Sequence, residues 1–210
     1  MTDPNKAEAN GEEQVDERTL RIIDAAIELA DEGGFEGVRL RDVASRSGVA
    51  LGTLYARFSS KEDILATVLE VETVKFELLL NEHPVEGDDA LARLTLLFGM
   101  LSKLMFERDN FTRAVLRAVA SGVPGPADKI LSYRERVTRI VVAAMHGPSV
   151  HRSPSAEEEQ VAFLLQQIWF AEMVGWMGGV EDEETVIEHT ISAARLLLAG
   201  AQHLSTSHGR

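Results

Sequence analysis

The segment 51–58 carries the side chains best suited to bind an anion or the edge of a base. At helical spacing, Leu54 and Phe58 turn toward the core. The positions that then largely face outward are Gly52, Thr53, Tyr55 and Arg57. This surface combines a hydroxyl, a phenol and a guanidinium with a residue that has no side chain. Such a surface is suited to contacts with phosphates and base edges.

Basic residues flank this segment on both sides. Lys61 is expected in the first turn of the following helix, where free N–H groups and the positive end of the helix dipole also attract anions. Arg39 and Arg41 bring charge to the start of the preceding helix. Five basic residues and one acidic residue give the segment 39–61 a charge of +4, whereas the whole chain carries −13. A positive patch on an acidic chain indicates a protein that presents one face to DNA.

The residues around position 48 predict a helix–turn–helix. Ala44 is small enough for two helices to cross closely, and Gly48 allows the positive φ that a tight turn needs. Val43, Val49 and Leu54 are expected to fill the angle between the helices. This spacing alone also fits an ordinary helical hairpin, and the outward-facing polar groups of the second helix favour the DNA-binding interpretation.

The run from Leu40 to Glu62 resembles the DNA-binding signature of the TetR family of bacterial transcription regulators. In that family the first three helices and the start of the fourth bind DNA, and the remainder binds a ligand and dimerises. Ligand binding usually releases the DNA. The resemblance implies two groups of contacts: phosphates held by Thr53, Tyr55 and Lys61, and base edges near Leu51 and Gly52.

Three positions depart from the family pattern. Arg39 stands where a serine or threonine cap is usual, and Arg57 where an aromatic residue or histidine is usual. Both changes should shift contacts toward phosphate. Leu51 replaces a common polar residue, which favours apolar contact with a thymine methyl group.

Helical spacing and glycine or proline breaks predict an all-α fold of about nine helices. We expect a disordered acidic tail at 1–15, a helix-turn-helix DNA-binding domain at 16–66, and a ligand-binding and dimerisation domain at 67–210. The tail has few apolar residues to bury. The predicted helices span about 20–33, 40–47, 51–58, 61–81, 89–108, 110–121, 127–146, 157–178 and 183–203.

The last two predicted helices favour a homodimer. The helix at about 157–178 is apolar nearly all round: one face carries Ala162, Leu165, Trp169, Met173 and Trp176, and the other carries Phe163, Phe170 and Val174. Such a helix must be covered on both sides, here by its own domain and by a partner subunit. The helix at 183–203 adds a second apolar stripe. A symmetric pair would bind a pseudo-palindromic operator, and about four neutralised phosphates per protomer predict a slope near −7 for log K against log salt.

A set of large, adaptable side chains in the C-terminal part predicts a pocket for a bulky apolar effector. Its members are Met100, Leu104, Met105, Leu116, Trp169, Met173, Trp176 and Met177. Ordinary core packing is the alternative for each of them. The stretch 111–118 with the two tryptophans is similar to actinobacterial repressors of sterol catabolism, which implies a lipid, steroid or acyl-CoA effector.

Two other functions stay open. Glu172, near the tryptophan face, could neutralise a cationic aromatic compound, as in a multidrug-type repressor. The chain could also be a helical lipid- or acyl-CoA-binding protein without DNA binding.

Catalytic and membrane functions lack supporting residues. The chain has no cysteine, its six histidines show no metal-site spacing, and we find no P-loop, dinucleotide fingerprint or nucleophile elbow. We therefore predict no enzyme, no cofactor and no metal site. The most apolar window, 161–180, contains Gln166, Gln167 and Glu172, which argues against a membrane span. With no targeting signal visible, the cytoplasm is the expected location.

Overall fold

The computed structural model describes residues 17–123, 125–148 and 152–207, so the predicted acidic tail lies outside the described residues. Within these ranges the chain forms nine α-helices and no strand, which confirms the predicted all-α fold. The helices are α1 (Glu17–Gly37), α2 (Leu40–Ser47), α3 (Leu51–Arg57), α4 (Lys61–Glu82), α5 (Ala90–Phe106), α6 (Asp109–Ala120), α7 (Ala127–His146), α8 (Ala156–Met177) and α9 (Glu183–Ser207).

Local signals account for most of the helix ends. Ser60, Asp89 and Ser155 open α4, α5 and α8, because each side chain accepts a hydrogen bond from the backbone N–H three residues later, at 3.2, 2.8 and 3.2 Å. Glu158 in turn accepts the backbone N–H of Ser155 at 2.8 Å, which completes a capping box. The bounds of α2 and α7 are the predicted ones.

The regular part of α1 ends where two adjacent glycines predict a stop. Gly34 has φ 60° and ψ −154°, a non-helical conformation that breaks the helix before its last turn. The chain then folds back, so that Val38 is fully buried against the first helix. This kink brings the end of α1 close to α6, where the backbone oxygen of Asn110 lies 3.7 Å from the position of a Gly34 Cβ.

One hydrophobic core runs through the described residues, from Ile22 and Leu54 near the turn to Leu165 and Met173 in α8. α1 packs along α6, and the long α4 contacts α1, α6 and α7. Both predicted domains are therefore packed against each other, through the contacts of α1 with α6 and α4. The boundary at residue 66 stays a prediction.

α8 buries the predicted face and leaves the other face open only in part, since Phe170 and Val174 are half-buried there. The five side chains predicted to point inward, from Ala162 to Trp176, are at most 8% exposed. Phe163 on the other face is 41% exposed, and Leu196 on α9 is 72% exposed. None of the helices in the described ranges combines the length and apolar character needed to cross a bilayer.

Candidate nucleic-acid interface and ligand cavity

The turn between α2 and α3 has the geometry that its residues predict. Gly48 is left-handed, with φ 66° and ψ 24°, and the N–H of Val49 donates to the carbonyl of Ala44 at 3.1 Å. A residue with a Cβ would be strained at this φ. Val43 and Leu54 are fully buried and Val49 is 9% exposed, so the angle between the helices is filled as expected. α3 is thereby held firmly against α1 and α2.

The outer face of α3 is open at two of the predicted positions. Tyr55 is 54% exposed, and no atom lies within 4 Å of the position that a Gly52 Cβ would occupy. Thr53 and Leu51 are half-buried, and Leu51 packs against the core. The face therefore presents a phenol beside a bare backbone, with the hydroxyl of Thr53 at its edge.

The basic side chains of segment 39–61 divide into two groups. Arg39 and Arg41 are exposed, and neither pairs with an acidic side chain in the described part of the chain. Arg46 is held by Glu32, with two hydrogen bonds of 2.7 and 2.9 Å. Arg57 lies on the predicted outer side but donates to the hydroxyl of Thr19 at 2.6 Å. The positive charge available to a bound phosphate is therefore concentrated at the start of α2.

Lys61 folds back onto the end of α1. Its Nζ lies 3.7 Å from the centre of the Phe35 ring and donates to the Phe35 carbonyl at 3.2 Å. Glu36 accepts from it at 3.5 Å and also pairs with Arg117 of α6 at 3.0 Å. In this conformation the ammonium group connects α4, α1 and α6, and a phosphate would have to compete for it.

Asp63, in the first turn of α4, accepts hydrogen bonds that fix the preceding turn. Asp63 accepts the backbone N–H and the hydroxyl of Ser59, at 2.9 and 3.1 Å, and pairs with Lys129 of α7. Burial raises the pKa of Asp63, but the bonds from Lys129 and Ser59 outweigh it, and the pKa lies below its ordinary value. The turn that follows α3 is thus anchored to α7.

A central cavity of about 160 Å³ lies among five helices of the C-terminal part. Its lining residues are Leu69, Glu72, Thr73, Phe76, Leu101, Leu104, Met105, Arg108, Phe111, Tyr133, Val137, Ile140 and Trp169. Three predicted pocket residues, Leu104, Met105 and Trp169, are among them. The cavity is mostly apolar, and its two charged residues, Glu72 and Arg108, come from α4 and from the α5–α6 turn.

The other five predicted pocket residues lie away from this cavity. Met100 is 39% exposed on α5, and Leu116 and Met173 are buried in the core. Trp176 packs against Phe106 in a tilted arrangement, with the ring centres 5.0 Å apart. Met177 uses its backbone carbonyl to accept a hydrogen bond from Arg113, whose guanidinium lies 4.8 Å from the centre of the Trp176 ring. These residues consolidate the junction of α6 and α8.

Polar groups at the cavity have defined roles. Trp169 lines it and donates its indole N–H to the hydroxyl of Ser102 at 2.9 Å. Burial raises the pKa of Tyr133 to about 12, so its phenol stays neutral. The amide of Gln166 is buried beside Tyr133. A neutral phenol in an otherwise mostly apolar lining suits a ligand that is apolar with a few hydrogen-bonding atoms.

Arg108 is the structural link between the cavity and the DNA-binding unit. Its guanidinium donates to both carboxylate oxygens of Asp31 on α1, at 3.1 and 2.6 Å, and to Glu72 on α4 at 3.2 Å. It lies 3.9 Å from the centre of the Phe111 ring, which also lines the cavity. Asn110 adds a bond to the Asp31 carbonyl at 2.9 Å.

Sequence reasoning missed the part of the lining that comes from α4 and α7. A signal was present: Leu69, Thr73 and Phe76 recur at helical spacing on α4, and Tyr133, Val137 and Ile140 do so on α7. The same pattern describes any buried helix face, and it does not show which face borders a space. The contribution of Arg108 had no such periodic signal.

A larger depression of about 770 Å³ lies between the ends of α4 and α7 and the segment 152–159. Charged residues such as Glu77, Arg139 and Arg152 line it. It lacks the aromatic lining of the central cavity and any residue of α1 or α6. The central cavity is therefore the better candidate for an apolar effector that acts on α1.

Comparison with known proteins agrees with this geometry. Residues 22–68 match the family model described as bacterial regulatory proteins, tetR family. The chain is 30% identical over 161 residues to the HTH-type transcriptional repressor KstR of Rhodococcus jostii, covering 77% of this chain and 73% of that protein.

Solved structures show the same fold. A TetR transcriptional regulator from Rhodococcus sp. RHA1 superposes with a TM-score of 0.74 at 22% identity, covering 87% of this chain and 95% of the other. Thermus thermophilus FadR, a TetR family transcriptional repressor in complex with lauroyl-CoA, has a TM-score of 0.66 at 18% identity, with 86% and 93% covered. The chain therefore belongs to the TetR family of bacterial transcription regulators, which bind DNA and small-molecule effectors, and it is not an enzyme.

Proposed function

We propose that this protein is a ligand-responsive transcriptional repressor that binds a pseudo-palindromic operator as a homodimer and is released by a bulky apolar effector. The observation that carries the proposal is the open outer face of α3, with Gly52 and the exposed Tyr55 beside the exposed Arg39 and Arg41. The relative from Rhodococcus jostii is named a transcriptional repressor, which supports repression over activation.

On the DNA, the two α3 helices of a dimer would enter successive major grooves about 34 Å apart. We assign phosphate contacts to Arg39, Arg41, Thr53 and Tyr55, with Leu51 and Gly52 near base edges. Two further phosphate contacts, by Arg57 and Lys61, require these side chains to leave their partners on α1.

Exposed apolar side chains support dimerisation through α8 and α9. Phe163, Leu164 and Leu196 are 41%, 36% and 72% exposed on these two helices. Large apolar groups at neighbouring exposed positions are typical of a surface that a partner covers. A DNA-binding dimer would act in the cytoplasm, where the bacterial chromosome lies.

The effector that fits the central cavity is a lipid, steroid or acyl-CoA compound. The lining is largely aliphatic and aromatic, and a relative of the same fold binds lauroyl-CoA. Ligand pockets for molecules of this size usually have about 300–1,000 Å³, so the observed 160 Å³ has to enlarge on binding. Met105 and Leu104 are adaptable or partly exposed side chains that can move to make this space.

Enlargement of the cavity explains how the effector would act on DNA binding. Glu72 on α4 and Arg108 on the α5–α6 turn both line the cavity, and Arg108 is bonded to Asp31 on α1. A ligand that separates α4 from α6 strains these ion pairs and shifts α1 and α4, which carry α3. Moving such an equilibrium from 1:99 to 99:1 requires about 5.5 kcal/mol of differential ligand affinity.

A cationic aromatic effector has less support. Glu172, the carboxylate that would neutralise it, does not line the central cavity and lies 3.0 Å from His189 of α9. The following experiment distinguishes the proposed repressor from a lipid-binding protein that does not bind DNA.

The intact protein is used to select duplexes from a random library at low ionic strength. We expect a palindromic sequence, tighter binding of the full site than of either half-site, and loss of affinity by about tenfold or more in Tyr55→Ala. Lys103→Ala, at an exposed position of α5, is the control and should bind as the unmodified protein does. Failure to enrich any duplex, or equal affinity for half-site and full site, would refute the proposal. Lauroyl-CoA should then release the selected duplex, and ethidium should not.

A further inference from the structure

Three potential metal ligands meet at the junction of α8 and α9, on the opposite side of α8 from its exposed apolar face. Glu172 lies on α8, Glu181 in the following loop and His189 on α9, and their ligand atoms all lie within 4.8 Å of one another. The Nδ1 atom of His189 is 3.0 Å from Glu172 Oε2 and 3.8 Å from Glu181 Oε2. None of the three lines the central cavity.

The protein offers one imidazole to two carboxylates, so it balances at most one of their two charges. The Glu172 and Glu181 side chains are only 19% and 23% exposed, so their carboxylates are partly withdrawn from water. Within the described residues, His189 is their only basic partner, and no lysine or arginine pairs with either of them. Two partly buried carboxylates facing a single imidazole favour a cation between them.

The backbone is shaped to bring Glu181 to this position. The carbonyl of Gly175 accepts the N–H groups of Val180 and Glu181, at 2.9 and 3.5 Å, which turns the loop back onto α8. A Cβ on Gly175 would lie 2.6 Å from the Glu181 Cγ. The close approach of this carboxylate to the helix therefore depends on the glycine.

We propose that Glu172, Glu181 and His189 form a binding site for a divalent transition-metal ion, with Zn²⁺ as the best match. One imidazole and two carboxylates are a donor set that zinc accepts, with a water molecule in the fourth position. Ligand atoms of tetrahedral zinc lie about 3.3 Å apart for bonds of about 2.0–2.1 Å. The two separations from His189 Nδ1, 3.0 and 3.8 Å, bracket this value, and the two carboxylates lie within 4.8 Å of each other, so side-chain rotations would complete the site.

A bound ion would join α8, the loop and α9, which are the elements that we assign to dimerisation. It would stabilise the folded chain without contacting the effector or the DNA. The site is independent of the proposed function, since the donor set and its geometry do not depend on what the regulator senses.

The test uses the full chain, freed of metal with a chelator and titrated with Zn²⁺ alone. We expect one Zn²⁺ per chain at micromolar concentration and a rise in Tm of about 5 °C or more at Zn²⁺ a hundredfold above Kd. Co²⁺ should give visible absorption bands of a four-coordinate nitrogen and oxygen site. His189→Ala should lower the affinity about 100-fold and remove these bands.

Matched variants separate this site from surface binding. His83→Ala, at an exposed histidine after α4, and Glu184→Gln, at an exposed acid of α9, should both bind as the unmodified chain does. Gly175→Ala keeps all three ligands and should still weaken binding, because its Cβ displaces Glu181. If His189→Ala fails to fold, Glu181→Gln replaces it. No stoichiometric Zn²⁺ binding by the unmodified chain, or unchanged affinity in the ligand variants, would overturn the proposal. Duplex selection by the metal-free chain tests the regulator separately.

Discussion

The bond between Asp31 and Arg108 offers a direct test of how the cavity communicates with the DNA-binding unit. We expect Asp31→Asn to make the repressor respond to a lower effector concentration. The carboxylate accepts two hydrogen bonds from the guanidinium, at 2.6 and 3.1 Å, and the substitution keeps the size of the side chain but removes its charge. The tie that holds α1 to the α5–α6 turn in this conformation is then weaker.

The magnitude follows from the exposure of the pair. The Arg108 and Asp31 side chains are 33% and 40% exposed, so solvent screens them and a contribution of about 1 kcal/mol is appropriate for a bidentate pair. Two copies in a dimer give about 2 kcal/mol, or roughly a 30-fold shift in the equilibrium between the DNA-binding and released states.

The assay is the fluorescence anisotropy of a labelled operator, obtained by the duplex selection described above, titrated with lauroyl-CoA. The midpoint for release should fall by about one order of magnitude or more in Asp31→Asn. Asp24→Asn, at an exposed position of α1 without an ion pair in the described residues, is the control and should leave the midpoint unchanged. Equal midpoints for Asp31→Asn and the unmodified protein, with operator binding retained in both, would refute the coupling through Arg108.

Three other predictions concern single residues. Gly48→Val should lower the free energy of unfolding in urea by about 1–2 kcal/mol, because Gly48 has a φ of 66° that valine adopts only with strain. Gly52→Ala should leave this free energy unchanged and weaken only operator binding. Equal effects of the two variants on stability would contradict the strain argument. The pKa of Tyr133 is raised to about 12, so the absorbance at 295 nm should show a step near this pH that Tyr133→Phe removes. The folded state should also lose stability as the pH rises from about 10 toward 12. A single step at lower pH would refute the burial of Tyr133. The Arg152 side chain lowers the pKa of Glu158 to about 2, so ionised Glu158 should stabilise the fold at neutral pH by about 1 kcal/mol. The difference in the free energy of unfolding between the unmodified protein and Glu158→Gln should disappear as the pH falls from about 4.5 to 2. A difference that stays constant in this range would exclude the ion pair as its source.

The elements of this fold are predictable because their signals are local. Ser155 and Glu158 form a capping box within four residues, and Gly48 is the residue that its own φ requires. The buried face of α8 follows from the period of one helix. In each case the relevant partner lies within one or two turns of the chain, where spacing determines geometry.

The site is less predictable because its partners are distant in sequence. Lys61 has the position of an anion ligand, but its ammonium group contacts Phe35 on another helix. Trp169 and Trp176 are both buried on one face of α8, yet only Trp169 borders the central cavity. Periodicity shows that a side chain is turned inward, and it does not show whether atoms or space lie opposite. The convergence of Glu172 and His189 likewise depends on the packing of α9 against α8.

The internal use of basic side chains has a consequence for how this regulator would search a chromosome. With Arg46 held by Glu32, and with Arg57 and Lys61 bonded to α1, each protomer offers about two cations to the phosphate backbone. A dimer would then show a salt slope nearer −4 than −7. Such a protein, with a body that repels polyanions, dwells only briefly on random sequence. Its occupancy of a promoter would depend on shape matching within the groove, and a vacated site would be found again more slowly than by a strongly basic protein.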